Sequence, residues 1–141
     1  MLDQSLISTE VPRIILLAED EDTVRRMLTR ILSNAGYRVL EARHGEEALQ
    51  MAIFAYPYLD LVITDVVMPE LDGRALGQRL RERLPSLPVL YISAYASDDL
   101  FHRGAPSANA PFLQKPLIAE DLLSLVQQLL TPGRGVPTQT A

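Results

Sequence analysis

The sequence predicts an α/β fold: one parallel sheet of five strands with helices on both faces. Three observations lead there. Short apolar runs alternate with helical patterns five times across residues 12–131. The first run, Arg13-Ile14-Ile15-Leu16-Leu17-Ala18, is apolar at every position after Arg13, as in a strand covered on both faces. Neither a repeat nor a shift of composition interrupts the alternation, so each strand is joined to the next by a crossover helix, right-handed by the usual rule.

Taken in order, the first strand runs straight into four acids, Glu19-Asp20-Glu21-Asp22. Val24, Met27, Leu28, Ile31, Leu32 and Ala35 then recur at helical spacing, an inward stripe with arginines and small polar residues on the other face. Gly36 is placed to end that helix. Residues 37–42 form a second strand whose mixed composition puts it nearer a sheet edge. Residues 46–55 form a second helix with Ala48, Leu49, Met51, Ala52 and Ile53 inward, closed by Pro57. A third strand, 59–64, ends at Asp65. The Met68-Pro69-Glu70-Leu71-Asp72-Gly73 loop leads into a helix over 74–84, with Arg74, Arg79, Arg81 and Arg83 on a solvated face. Residues 88–93 are a fourth strand. Gly104 and Pro106 leave room for at most a short helix within 97–109. Residues 110–114 are a fifth strand and 118–130 a last helix. Residues 1–11 read as an N-terminal extension and 132–141, with two prolines and two glycines, as a flexible tail or the start of a linker.

Composition narrows the function. The chain has 141 residues, near one domain, and 48% of them are hydrophobic, enough for one real core. The absence of cysteine excludes a disulfide framework, a thiol nucleophile and a cysteine-ligated zinc site. His44 and His102 lie too far apart in sequence to suggest paired metal ligands, and both read as surface residues. A net charge of −5 argues against direct nucleic-acid binding. There is no secretory signal and no apolar run near the ~20 residues of a membrane span, so a cytoplasmic protein is expected. Of the 13 basic residues, the single lysine is Lys115.

In open α/β sheets ligands bind outside the carboxyl ends of the strands. Those ends here carry Glu19 and Asp20, then Asp65, then Ser93, then Lys115-Pro116. Three carboxylates brought together repel one another unless a cation intervenes. An all-oxygen donor set suits Mg²⁺, which readily shares a phosphate oxygen. Such a rim can support phosphoryl transfer to a carboxylate, with Asp65 as nucleophile, Lys115 and the metal as electrostatic clamps, and Ser93 as a hydroxyl donor.

Five runs resemble the receiver domain of two-component response regulators: Leu16-Leu17-Ala18-Glu19-Asp20-Glu21, Val62-Ile63-Thr64-Asp65-Val66-Val67-Met68-Pro69, Leu71-Asp72-Gly73, Tyr91-Ile92-Ser93-Ala94 and Phe112-Leu113-Gln114-Lys115-Pro116. The likeness covers residues 12–131, and the last run also resembles receivers attached to hybrid sensor kinases. It implies the flavodoxin-like (βα)5 fold with strand order 2-1-3-4-5. It implies that Asp65 is the phospho-acceptor, charged by a histidine kinase or phosphotransfer domain. It further implies that Asp20, Asp65 and the Val67 backbone carbonyl hold Mg²⁺ with Glu19 nearby through water. Ser93 and Phe112 would be the switch pair, and the Lys115–Pro116 bond would be cis. Two departures stand out: Glu19 where aspartate is commoner, and Ser93 where threonine is frequent. Val67, which offers no polar side chain to an attacking water, and Tyr95 match the positions that help orient that water, so slow loss of the phosphoryl group is expected.

Each residue also has a plainer reading. The acids of 19–22 suit a helix N-terminus, Asp65 could cap a turn, Ser93 could be a bonded core hydroxyl, Phe112 could be core, and Lys115 could be solvated. Other classes remain to be weighed. A phosphatase of the haloacid dehalogenase type places a second aspartate two residues past the nucleophile, where this chain has Val67. A flavin-binding protein of flavodoxin type would find Glu19 to Asp22 repelling its phosphate. A protein-interaction module that no longer signals would not need the intact acid, hydroxyl and lysine set. Residues 12–131 leave no room among the 141 for an output domain, so the chain is expected to act by docking or to be a segment of a longer protein.

Overall fold

The computed structural model describes residues 11–94 and 110–131. Its elements are β1 (Ile14–Ala18), α1 (Asp22–Asn34), β2 (Arg38–Ala42), α2 (Gly45–Ala55), β3 (Leu61–Asp65), α3 (Gly73–Arg83), β4 (Val89–Ser93), β5 (Phe112–Gln114) and α4 (Ala119–Leu129). The strands form one sheet in the order β2-β1-β3-β4-β5, with every pair parallel. This is the flavodoxin-like arrangement. The segment 97–109, with His102, and the two terminal stretches that the sequence sets apart lie outside the described residues, apart from Val11.

Alternation along the strands explains the two-sided core. Ile15 and Leu17 of β1 join Leu61, Ile63, Leu90 and Ile92 on one face, covered by Leu28 and Leu32 of α1 and Leu122 and Val126 of α4. Leu16, Ala18 and Val62 point the other way, onto Ala48, Leu49 and Ala52 of α2 and Leu76 and Leu80 of α3. All five residues of β3 are buried, whereas β2 is open to solvent at Arg38 and Glu41 and lies at the edge, as its mixed sequence predicts. Gly36 follows α1 at φ 101°, a left-handed position that costs glycine nothing.

Several sequence expectations need correction. In α1 the inward stripe holds Leu28 and Leu32 with half-buried Val24 and Ile31, as expected, but it also takes in Arg25, while Met27 is 45% exposed and Ala35 lies outside the core. Arg25 takes an inward place because its guanidinium finds three acceptors there, described below. Ile53 is exposed, since α2 packs through its alanines. Asp60 is not part of β3: its carboxylate accepts the Ile14 N–H at 2.8 Å and so stands just before the strand. The helices α2 and α3 each begin one residue early, at Gly45 and Gly73, because His44 and Asp72 cap them. His44 Nδ1 accepts from the Glu47 N–H at 3.2 Å, and Asp72 Oδ1 from the Ala75 N–H at 3.0 Å. The fifth strand is shorter than 110–114, beginning at Phe112.

Candidate functional site

Sheet register brings the strand ends together. Ala18 pairs with Thr64, so the next residues, Glu19 and Asp65, emerge side by side at the carboxyl ends of β1 and β3. On the other flank Ser93 pairs with Gln114, and the Lys115 N–H donates to the Ser93 carbonyl at 2.7 Å. The peptide bond between Lys115 and Pro116 is cis.

The lysine side chain reaches across β4 to both acids. Its Nζ donates to Glu19 Oε1 at 2.9 Å and to Asp65 Oδ2 at 2.8 Å. Glu19 is fully buried, Asp65 is nearly so, and Ser93 is buried beside them. Burial disfavours the Lys115 charge, but the two carboxylates at hydrogen-bond distance outweigh it and hold the ammonium above its ordinary pKa. Burial pushes the Glu19 carboxyl upward, opposed by Lys115 and by the Glu21 N–H that donates to Glu19 Oε2 at 3.0 Å. The second Asp65 oxygen accepts the Val67 N–H at 3.2 Å. Val67 itself, just beyond, is half exposed.

The backbone behind Asp65 is closely packed. The Gly73 N–H donates to the Val66 carbonyl at 2.8 Å, and a Cβ at Gly73 would lie 2.2 Å from the Asp65 carbonyl oxygen. Only glycine permits α3 to start this near the end of β3. Phe112 is at the opposite end of β5 from Lys115, opposite Tyr91 and half buried against Tyr91 and Val66.

Carboxylate oxygens of Glu19, Asp20 and Asp65 all lie within 4.8 Å of one another. Two of the acids are buried and Asp20 is exposed, so the group opens to solvent on one side. Three hard oxygen donors at this spacing, with one side open for waters and a phosphate oxygen, fit Mg²⁺. Of the residues picked out by the sequence, the structure thus gathers Glu19, Asp20, Asp65 and Lys115 at one point with Ser93 alongside. Phe112 stands apart, and Tyr95 lies outside the described residues. The sequence reading missed Arg25, whose guanidinium reaches back to the Glu19 carbonyl. Its signal was present, because Arg25 precedes Leu28 and Leu32 at i−3 and i−7.

A family model for the response regulator receiver domain matches residues 15–127. The chain belongs to this family. It is therefore a receiver domain of two-component signalling. It is similar to the sensor kinase CckA of Brucella abortus (strain 2308), with 41% identity over 117 residues. That match takes in 82% of this chain and 12% of the kinase, so the chain spans only a small part of that relative. It is similar as well to the response regulator receiver protein CpdR of the same strain, 35% identical over 116 residues, which are 82% of this chain and 95% of CpdR. Among solved structures, the receiver domain from the hybrid histidine kinase CckA superposes with a TM-score of 0.71 at 40% identity, covering 83% of this chain and 98% of that one. The CheX–CheY–BeF3–Mg²⁺ complex from Borrelia burgdorferi gives 0.76 at 28% identity, over 87% and 92%. No described helix is long and apolar enough to cross a membrane.

Proposed function

We propose that Asp65 is the phospho-acceptor of this receiver, charged from the phosphohistidine of a histidine kinase or a phosphotransfer domain in the cytoplasm. The observation that carries the reading is the lone lysine: its ammonium ties the Asp65 carboxylate to the buried Glu19 at hydrogen-bond distance. In the transfer, an Asp65 carboxylate oxygen attacks phosphorus while the P–N bond to imidazole breaks. The electron pair leaves with the ring nitrogen, which then takes a proton. Lys115 donates to the charge carried on the phosphoryl oxygens, and the Ser93 hydroxyl turns toward them as Phe112 swings inward, changing a partner-binding surface.

Asp20, Asp65 and the Val67 carbonyl would hold Mg²⁺. Glu19 would reach it through water, in keeping with both its oxygens already accepting from Lys115 and Glu21. Bound there, Mg²⁺ would neutralise charge on the phosphoryl oxygens. The similar Borrelia structure, named as a complex with BeF3 and Mg²⁺, supports Mg²⁺ as the cation here. The likeness to CckA supports a phosphorelay donor or a kinase-linked setting. Val67 offers no polar side chain to an attacking water, so the acyl phosphate decays slowly rather than turning over.

Labelling by acetyl phosphate tests this. The expected result is incorporation that requires Mg²⁺ and is abolished by Asp65→Asn. Equal labelling of the Asn variant would remove Asp65 from its role.

A further inference from the structure

The first helix buries a charge that phosphoryl transfer does not explain. Arg25 is 5% exposed and shares the inward stripe of α1 with Leu28 and Leu32. A guanidinium removed from water has to be paired on most of its edge. Arg25 manages this with groups from three places. Its Nη1 donates to the Glu19 carbonyl at 2.9 Å, its Nε to Glu41 Oε1 of β2 at 3.3 Å, and its Nη2 to Asp22 at the start of α1. Such divergent bonds need a planar fork, which a lysine lacks.

The three arms differ in what they hold. Asp22 and Glu41 are exposed carboxylates that balance the charge. The Glu19 carbonyl belongs to the peptide unit that leads into Asp20. The Glu19 N–H is fixed on the Ala42 carbonyl at 3.1 Å, and the Glu21 N–H on Glu19 Oε2 at 3.0 Å. With Arg25 on the carbonyl, the backbone is held immediately before and immediately after Asp20. The Asp20 side chain is itself exposed, so the position of its carboxylate follows from this turn.

We infer that Arg25 is a positioning residue for the cation site: by clamping the Glu19 carbonyl it keeps the Asp20 carboxylate within reach of those of Glu19 and Asp65. The inference rests on the reading that these three acids hold Mg²⁺. A merely structural role, tying α1 to β2, would work through Glu41 instead, and the two arms can be separated.

Calorimetric titration of the full chain with Mg²⁺ decides. Arg25→Lys keeps the stem and the charge but loses the fork, and is expected to weaken Mg²⁺ binding about 10-fold, as loss of an outer partner of a metal ligand commonly does. Glu41→Ala removes only the β2 arm, and is expected to lower Tm while leaving the Mg²⁺ Kd unchanged. A wild-type Kd in Arg25→Lys, or equal weakening in Glu41→Ala, overturns the inference. Should Arg25→Lys not fold, the wild type still answers: the Arg25 Nη1–H resonance, on the arm that holds the Glu19 carbonyl, is expected to shift on Mg²⁺ addition, and a resonance that stays still during saturation overturns the role. If the wild type binds no Mg²⁺, the cation assignment itself fails. If it binds and Arg25→Lys binds equally, only the role of Arg25 falls.

Discussion

The two ends of β3 each carry an aspartate, and they are held in opposite ways. Before the strand, Asp60 exchanges bonds with one backbone unit: its carboxylate accepts the Ile14 N–H at 2.8 Å and its own N–H donates to the Ile14 carbonyl at 2.9 Å. Around it lies a cavity of about 430 Å³ lined mainly by apolar side chains such as Leu59, Leu87, Pro88 and Leu129. After the strand, Asp65 shares the Lys115 ammonium with Glu19, and Asp20 stands close by. A backbone donor is fixed and carries no net charge, so Asp60 acts as a staple that sets where β1 and β3 begin to pair. One ammonium shared by two buried acids leaves negative charge out of water, and that end of the sheet attracts a cation and its phosphoryl partner. A hydrogen bond to a neighbouring element is common to both aspartates. The difference lies in burial and in neighbouring acids: Asp60 stands half-buried on a backbone donor, whereas Asp65 is buried beside Glu19 with Asp20 close by, more negative charge than one ammonium offsets.

This contrast can be broken or sharpened. The largest effect is expected at Lys115. Lys115→Ala should slow labelling by acetyl phosphate by about 10²–10³-fold, the usual size of losing one preorganised donor. A rate close to wild type would show that the ammonium does not serve the transfer. Next comes Asp60→Ala, which should leave labelling intact and lower stability by about 1–2 kcal/mol through the lost bond to Ile14, measured by urea unfolding. If labelling fell as far as in Asp65→Asn, the two ends would not be independent. Smaller again is Val67→Asn, which places an amide beside the phosphorylation site. It should shorten the lifetime of the phosphorylated protein in a decay assay, and an unchanged half-life would remove the water-orienting rationale.

Much of this was legible beforehand because strands and helices announce themselves by period. The run Ile14 to Ala18 and the stripe Leu28, Ile31 and Leu32 are patterns of apolar spacing, and the acids at strand ends follow from where those patterns stop. The errors fall where a polar group overrides the pattern. Met27 fits the apolar stripe on paper, but Arg25 occupies the inward face because three acceptors await it there. Asp60 looked like a strand residue inside an apolar run, yet its side chain bonds a neighbouring strand's backbone. His44 lies at the surface as read, but its ring also caps α2, which no apolar pattern signals.

The sequence by itself determined the kind and order of elements, the parallel sheet, and the set of chemically able residues at its carboxyl ends, because these depend on composition and spacing within a few residues. The tertiary structure alone decided which of those residues touch. Lys115 meets Glu19 from 96 positions away and Asp65 from 50, and Arg25 meets Glu41 from 16. Such contacts are set by strand register and crossover packing, and no local pattern encodes a distance between residues that only the folded sheet makes neighbours.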